Sequence, residues 1–311
     1  MRKHIQRLSH LMIVLLLLTH LSASAQDSFG FKYLNKKQGL SSDEIYSLEQ
    51  DSEGFIWIGT ETGLNRYDGY HFKRFYFDVN DPQSLSGNNI SAILEDSKKR
   101  LWVSSFTGLN LMDKETGRFK RIPFQDESGK SYSANVVSIY EDQHNQIWIT
   151  TEPQGLFKIE ETDGQFLGVP FAYRAKLDSF NLALPLERVA HADNEYMWTL
   201  TLRGIDRVHL QTKEIDHFLI PNESTILSNA LRAKDVYTND GFIFFIRANR
   251  VFCLDTKAIN PKIISFNEYL TQRSIDPLKE VIHDKILLDA NDNLIFVTKK
   301  ELIFFDRQTG A

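Results

Sequence analysis

One phrase recurs along this chain at a nearly constant spacing, and it constrains the fold more than any other feature. Its first copy, DSEGFIWIGTETGLNRYDG at 51–69, joins an Asp-containing turn, an aromatic strand, a Gly-containing turn and a second strand. The copies align on six anchor residues: Trp57, Trp102, Trp148, Trp198, Phe244 and Ile295. Successive anchors are 45, 46, 50, 46 and 51 residues apart. A period of this length built from short strands is typical of β-propeller blades.

Each period divides into four strand-like segments, which we label a to d. In the first period they are EIYSLEQ, FIWIGT, GLNRYD and HFKRFYF, and in the second NISAILE, RLWVSS, GLNLMD and RFKRIPF. A glycine precedes strand c in four copies, at Gly63, Gly108, Gly155 and Gly204. No long segment has the apolar spacing of an amphipathic helix. We therefore predict an all-β propeller of four-stranded blades, with the anchor tryptophans buried between blades. An all-β sandwich, the alternative, does not explain the regular period.

The blade boundaries follow from the same alignment. Six blades are predicted, at about 36–80, 81–126, 127–171, 172–220, 221–267 and 268–311. The last is incomplete, since FDRQTG at 305–310 parallels MDKETG at 112–117, which leads directly into a strand d. FGFKYLN at 29–35 resembles a displaced strand d that would close the ring. We expect a seven-bladed ring of which 26–311 is a C-terminally truncated part.

The first 25 residues predict export. A basic segment, MRKHIQR, precedes the apolar run LMIVLLLL and the small residues ASA, which is the pattern of a cleaved signal peptide at 1–25. The apolar run is shorter than the roughly 20 residues of a membrane span. The single cysteine, Cys253, is predicted to be a small buried apolar residue. A net charge of −5 gives no reason to expect a nucleic-acid partner.

The phrase at 51–69 and DPQSLSGNNISAILEDSKKRLWVSS at 81–105 resemble the two-component regulator propeller repeat, with specificity over 40–160. Such propellers usually form the periplasmic sensor half of hybrid two-component systems. The resemblance implies a periplasmic module that senses oligosaccharides from glycan breakdown and pairs as a homodimer. This chain has no recognisable kinase, receiver or DNA-binding region, so we predict no enzyme activity. We expect contact with the membrane only through regions C-terminal to this chain.

Catalytic motifs do not stand out. No metal-ligand, phosphate-loop or nucleophile motif is recognisable, so neither a metal nor a cofactor is predicted. A propeller glycosidase or lyase is the enzymatic alternative, because Glu61 and Glu152 both fall on b–c turns and glycoside hydrolysis needs two carboxylates. A scaffold for protein contacts is the third alternative.

The loops that join strand d to a, and b to c, emerge on one face of a propeller, where we predict the ligand site. The candidate residues are Glu61, Asn89, Phe106, Asn135, Glu152, Arg188 and Arg203. Amides and charged groups suit sugar hydroxyls, and the ring of Phe106 suits the apolar face of a sugar. The alternative for Asn89 and Asn135 is that they only cap turns.

Overall fold

The computed structural model describes residues 33–126, 128–152, 155–171, 186–201, 204–220, 235–239, 241–247, 250–272, 282–288, 294–298 and 302–305. Met1–Leu34 and Asn35–Ala311 form separate units, and all the described secondary structure lies in the second. The predicted signal peptide and most of the predicted strand at 29–35 therefore lie outside the described residues. Within the described part of the chain, no helix is long and apolar enough to cross a membrane.

The strands form six sheets in chain order, and sequential strands pair antiparallel. Sheet 1 contains β1 (Ile45–Gln50), β2 (Ile56–Thr60), β3 (Gly63–Tyr67) and β4 (Phe72–Phe75); sheet 2 contains β5 (Ile90–Glu95), β6 (Leu101–Ser105), β7 (Gly108–Asp113) and β8 (Arg118–Ile122); sheet 3 contains β9 (Phe124–Gln125), β10 (Ser131–Tyr132), β11 (Asn135–Glu141), β12 (Ile147–Glu152), β13 (Gly155–Thr162) and β14 (Gln165–Pro170). Sheet 4 contains β15 (Leu186–Ala192), β16 (Tyr196–Thr201), β17 (Gly204–His209) and β18 (Ile215–Leu219); sheet 5 contains β19 (Asp235–Asn239), β20 (Phe242–Arg247), β21 (Arg250–Asp255) and β22 (Ile263–Ser265); sheet 6 contains β23 (Ile282–Leu288), β24 (Leu294–Thr298) and β25 (Leu302–Phe305).

The strand a of each sheet contacts the strand a of the next: β1 with β5, β5 with β11, β11 with β15, β15 with β19, and β19 with β23. Sheets whose a strands contact one another in sequence in this way are the blades of a β-propeller, so the predicted fold class is confirmed. The seventh blade and the closed ring stay predictions.

The anchor residues lie on strand b of every sheet, as predicted. Trp57, Trp102, Trp148, Trp198 and Phe244 are each at most 4% exposed. Trp57 packs with Ile90 and Val103 of sheet 2, and Trp198 packs with Ile243 and Phe245 of sheet 5. An apolar sheet face must be covered by a neighbour, so each of these five anchors belongs to the core between two sheets.

The segment RFKRIPF, predicted as one strand, is divided between two sheets. Its first five residues form β8, whereas Phe124 pairs in parallel with Gly168 of sheet 3. Pro123 between them has no N–H group with which to continue the pairing of β8. Phe124 then packs edge-on against Phe157 of sheet 3, with ring centroids 5.4 Å apart. Sheet 3 consequently has six strands where four were predicted.

A short helix, α1 (Phe266–Gln272), follows β22 in a chain predicted to contain strands only. Its buried residues Phe266, Tyr269 and Leu270 have helical spacing, and they pack with Phe244 in the core between sheets 5 and 6. Seven residues are too few to give a clear period in a long window, which is why the sequence pattern did not predict the helix.

A buried aspartate holds the turn and the anchor tryptophan together in the first three sheets. The pairs are Asp51–Trp57, Asp96–Trp102 and Asp142–Trp148, and in each one Oδ2 accepts a hydrogen bond from the indole Nε1 at 2.8 Å. Oδ1 of the same aspartates accepts two main-chain N–H groups of the a–b turn, as from Glu53 and Phe55 in sheet 1. The predicted turn role is confirmed, and the bond to the indole is additional.

A second repeated contact joins neighbouring sheets. The main-chain N–H and the hydroxyl of Ser52, in the a–b turn of sheet 1, donate to the carboxylate of Glu95 at the end of β5. Ser97 in the turn of sheet 2 donates in the same way to Glu141 of sheet 3, at 2.8 Å from its N–H group and 2.6 Å from its hydroxyl. Each carboxylate thus caps the turn of the preceding sheet.

Candidate functional site

The predicted ligand face, which we call the b–c face, lies where strand a begins, strand b ends and strand c begins. The b–c turns there are closed by a hydroxyl at the end of strand b, as when Thr60 Oγ1 donates to Gly63 O at 3.0 Å. Gly63 has φ +140°, and a Cβ atom on it would lie 2.8 Å from Phe75 O. At Gly204 a Cβ atom would lie 2.0 Å from Phe218 O. These turns therefore require glycine, and they hold the residue after strand b in a fixed place.

Strand a of sheets 1 to 4 contains a bulge near its start. The bulged residues are Tyr46, Ser91, Val137 and Glu187. A bulge redirects a side chain, and here three of the four reach the next sheet. Tyr46 stacks with Phe106 of sheet 2, Ser91 Oγ donates to Val136 O of sheet 3 at 2.6 Å, and Glu187 pairs with Arg247 of sheet 5.

Among the described residues, the stacked pair Tyr46–Phe106 is the most exposed aromatic feature of the b–c face. The ring centroids are 6.4 Å apart with an interplanar angle of 15°, and the two residues are 48% and 51% exposed. Sequence reasoning identified Phe106 but missed Tyr46. The bulge that directs Tyr46 toward Phe106 has no clear signature in the sequence, although aligning the repeats gives its position.

The structure places two predicted amides beside two other predicted residues. The main-chain oxygen of Asn89 accepts a hydrogen bond from the N–H group of Phe106 at 3.3 Å, and Asn135 is the register partner of Glu152. The side-chain Oδ1 atoms of Asn89 and Asn135 are buried and accept no hydrogen bond from the described residues. Neither oxygen therefore caps a turn within the described part of the chain.

The remaining candidates are more dispersed. Glu61 is exposed, and its N–H group donates to Glu44 O at 3.0 Å. Because Glu61 belongs to the turn of sheet 1 and Glu152 to sheet 3, the two carboxylates lie on non-adjacent sheets. Arg188 is half-buried on β15, and Arg203 lies outside the described residues. Among the residues that the structure describes, no three His, Cys, Asp or Glu side chains are grouped to hold a metal ion.

Between sheets 4 and 5, the b–c face contains a buried ion pair. Arg247, at the end of strand b, is fully buried, and its Nη2 lies 2.9 Å from Oε2 of Glu187 and donates to Thr201 O. Sequence reasoning missed both members of this ion pair. A buried charge needs a partner and further hydrogen bonds. Glu187 is the bulged residue of its strand a, as Tyr46 is in sheet 1, so the bulge of sheet 4 carries a buried ion pair instead of an exposed aromatic ring.

Residues 39–62 and 84–107 match the two-component regulator propeller family. Each segment begins a few residues before strand a, continues through strands a and b, and ends in the b–c turn. The family match covers these two segments of the chain. The resemblance stated from the sequence is thus confirmed over these two segments, which include Trp57, Trp102, Asn89 and Phe106.

Several proteins resemble this repeat chain. Histidine kinase P4 of Formosa agariphila is 40% identical over 62 residues, which is 20% of this chain and 4% of that protein. The extracellular domain of the hybrid two-component system BT4673 from B. thetaiotaomicron is 21% identical, with a TM-score of 0.66 over 91% of this chain and 38% of that one. A catalytically inactive virginiamycin B lyase from Staphylococcus aureus, solved with quinupristin, is 14% identical, with a TM-score of 0.58 over 89% and 85% of the two chains. The structural likenesses establish the propeller fold, and this chain spans a minor part of both two-component proteins.

Proposed function

We propose that this propeller is the exported, periplasmic ligand-binding module of a two-component signalling system, and that its ligand is an oligosaccharide. The repeats match a family named for two-component regulators. One structural neighbour is the extracellular domain of a hybrid two-component system. In this proposal the module itself performs no chemistry, and ligand binding is passed on to signalling regions of a longer protein.

One observation carries the choice of ligand. Tyr46 and Phe106 expose a stacked pair of rings on the b–c face, beside the amide of Asn89, whose buried Oδ1 accepts no hydrogen bond from the described residues. Large exposed aromatic surfaces on a soluble protein mark interaction sites. An aromatic surface next to an amide fits a sugar, which presents an apolar ring face and hydroxyl groups together.

The test is a titration of a library of neutral and acidic oligosaccharides against the protein and its Tyr46→Ala and Phe106→Ala variants, followed by calorimetry. Loss of one stacking ring should weaken binding by about five- to tenfold. Tyr70→Ala is the matched control. Tyr70 is 83% exposed, but it lies in the c–d turn of sheet 1, at the end of the strands opposite the b–c face.

Unaltered affinity in both b–c face variants would show that the ligand binds elsewhere. The same samples are assayed for new reducing ends or unsaturated sugars, because one propeller neighbour is a lyase. Turnover of a bound oligosaccharide would replace the sensor proposal with the enzymatic alternative. Sedimentation of the ligand-bound protein tests the homodimer that the family resemblance implies.

A further inference from the structure

A cavity of about 240 Å³ lies between sheets 2 and 3, beside the turn that carries Phe106. The cavity is lined by Thr107 and Leu109 beside sheet 2, by Arg121 of β8, by Phe124 of sheet 3, and by Ser133 in the loop between β10 and β11. Pockets for drug-sized ligands measure roughly 300–1,000 Å³, so this cavity suits a single monosaccharide unit. Arg121 is the only ionisable residue of the described lining.

Much of the polar wall is structural. Thr107 Oγ1 donates to Ser86 O at 2.7 Å, and Asn110 Nδ2 donates to Ser86 Oγ at 3.0 Å. Sheet 1 contains the same arrangement with other residues: Thr62 Oγ1 donates to Ser41 O, and Asn65 Nδ2 donates to Ser41 Oγ. A network that recurs in another sheet supports the fold, so it does not by itself mark a ligand site. It does fix the positions of the hydroxyl groups.

The hydrogen-bonded side chain of Arg121 sets the cavity wall at sheet 2 apart from the network that recurs in sheet 1. Its Nε donates to Ser84 O at 3.2 Å, and its Nη2 lies 3.0 Å from both Ser84 Oγ and Leu85 O. The guanidinium carbon also lies 5.5 Å from the ring centroid of Phe77. The third nitrogen, Nη1, donates to no group of the described residues. The guanidinium is therefore held rigidly by neutral groups, with one nitrogen available to a ligand.

We infer that this cavity, which we call the Arg121 cavity, binds the carboxylate-bearing sugar unit of an acidic oligosaccharide, that is, a hexuronic acid. A guanidinium held only by carbonyl and hydroxyl oxygens keeps its full charge for an anionic ligand, and hydrogen bonds from arginine to carboxylates are among the strong ones. The exposed hydroxyl of Ser133 and the fixed hydroxyl of Thr107 are placed for sugar hydroxyls, and Leu109 and Phe124 for its apolar face. This inference rests on the proposed function, since it places one unit of the same ligand.

The experiment uses NMR titration of the isotope-labelled full chain with D-glucuronate, D-glucose and acetate at constant ionic strength. We expect glucuronate to shift the amide signals of Thr107 and Ser133, and to bind about tenfold more tightly than glucose or acetate. Arg121→Gln and Ser133→Trp should each abolish this preference. Ser133→Trp is the safer variant, because Ser133 is exposed and the bulky ring fills the cavity without touching the bonds of Arg121.

Arg74→Gln is the matched control. Arg74 is the register partner of Asn65, as Arg121 is of Asn110, and both arginines are exposed, but Arg74 forms no ion pair or side-chain hydrogen bond with the described residues. The inference fails if glucose or acetate binds as well as glucuronate, if no amide near the cavity shifts, or if Arg74→Gln weakens glucuronate as much as the cavity variants do. Neutral oligosaccharides that bind through Phe106, unaffected by Ser133→Trp, would refute the Arg121 cavity and leave the proposed function standing.

Discussion

The first three sheets and the fourth use the same anchor tryptophan but hold it differently. In sheets 1 to 3 the aspartate stands six residues before the tryptophan and bonds its indole nitrogen. In sheet 4, Asp193 stands five residues before Trp198, and Trp198 Nε1 has no hydrogen-bond partner among the described residues. One residue fewer in the turn thus coincides with the loss of a buried hydrogen bond.

The local geometry explains the difference. In sheet 1 the turn is closed by the N–H group of Asp51 donating to Phe55 O, whereas in sheet 4 Asp193 donates to Tyr196 O. Asp193 Oδ1 still accepts two turn amides, from Glu195 and Tyr196, so the turn function is kept. The aspartate thus has two separable roles: it accepts the turn amides, and it accepts the indole N–H group. Only the six-residue spacing provides both.

The largest expected effect comes from removing the aspartate where both roles are present. Asp96→Ala leaves Trp102 Nε1 and the guanidinium of Arg100 without the carboxylate that both contact, so it should lower the free energy of unfolding by about 3–4 kcal/mol. Asp193→Ala removes only the turn bonds and should cost about 1 kcal/mol. Urea unfolding of both variants measures the difference. Equal losses would show that the indole bond contributes nothing.

A charged cluster beside the first turn should make the junction of sheets 1 and 2 sensitive to acid. Lys114 contacts Glu95, and its Nζ lies 3.4 Å from Asp51 Oδ2. Burial acts to raise the pKa of Asp51, but the bonds from Trp57 and the turn amide together with Lys114 hold it below the ordinary value of 3.8. Burial is likewise outweighed at Glu95, whose pKa lies below 4.5 because of Lys114 and Ser52.

The sign of the pH effect follows from these directions. A carboxylate with a lowered pKa stabilises the fold above its ordinary pKa, and the contribution is lost as the pH falls through the lowered value. Burial raises the pKa of the neighbouring Glu49, which acts in the opposite sense. Lys114→Met should cost about 1–2 kcal/mol at pH 7, and its deficit relative to the unmodified protein should shrink below pH 4. Lys73→Met, at an exposed lysine of sheet 1, is the control in thermal unfolding at both pH values. A deficit that does not change with pH would contradict the assignment.

The contacts between sheets give a smaller comparison. Glu141 caps the turn of sheet 2 with two bonds, whereas the turn of sheet 3 meets sheet 4 through the amide of Asn194, with His144 Nε2 2.7 Å from Asn194 Oδ1. Glu141→Ala should cost about 1 kcal/mol and Asn194→Ala about 0.5 kcal/mol in urea unfolding. High salt should reduce the cost of the first variant only, because it screens a charged acceptor. A larger loss for Asn194→Ala would reverse the ranking of the two junctions.

The sequence was sufficient for the features that repeat. The anchor period predicted the strands, the sheets and the burial of Trp57 and Trp198, because a repeated apolar residue in a sheet must be covered by a neighbour. Features that occur once were missed: the transfer of Phe124 to sheet 3, the helix α1 and the ion pair of Glu187 with Arg247. Each depends on which residue of a distant sheet lies opposite, and the period contains no information about that.

The candidate site residues also divide into those that recur, which were predicted, and those that occur once, which were missed. Phe106 and Asn89 were predicted because the turns that carry them recur, whereas Tyr46 was missed because a bulge decides which way its side chain points. Arg121, the residue of the proposed cavity site, was missed because its proposed role depends on the four oxygens, of Asp81, Ser84 and Leu85, and on the ring that surround its guanidinium. The spacing of Asp51, Asp96 and Asp142 from their tryptophans was visible in the sequence, and it would have predicted the indole bond.

The last comparison concerns one backbone position of the a–b turn. The residue three after the aspartate has φ +89° at Gly54, +61° at Lys99 and +59° at Asn145. A left-handed conformation costs a residue such as lysine about 1 kcal/mol, whereas glycine adopts it freely and loses more entropy on folding. Lys99→Gly should therefore raise the free energy of unfolding by about 0.5 kcal/mol, and Gly54→Ala should lower it by about 1 kcal/mol. Asn145→Gly should lower the free energy of unfolding by about 0.5 kcal/mol, since asparagine tolerates this conformation and its Oδ1 accepts a hydrogen bond from Ser97 Oγ at 2.9 Å. Thermal unfolding of the three variants tests the order, and a stability loss in Lys99→Gly would mean that its side chain contributes more than the strain in its backbone costs.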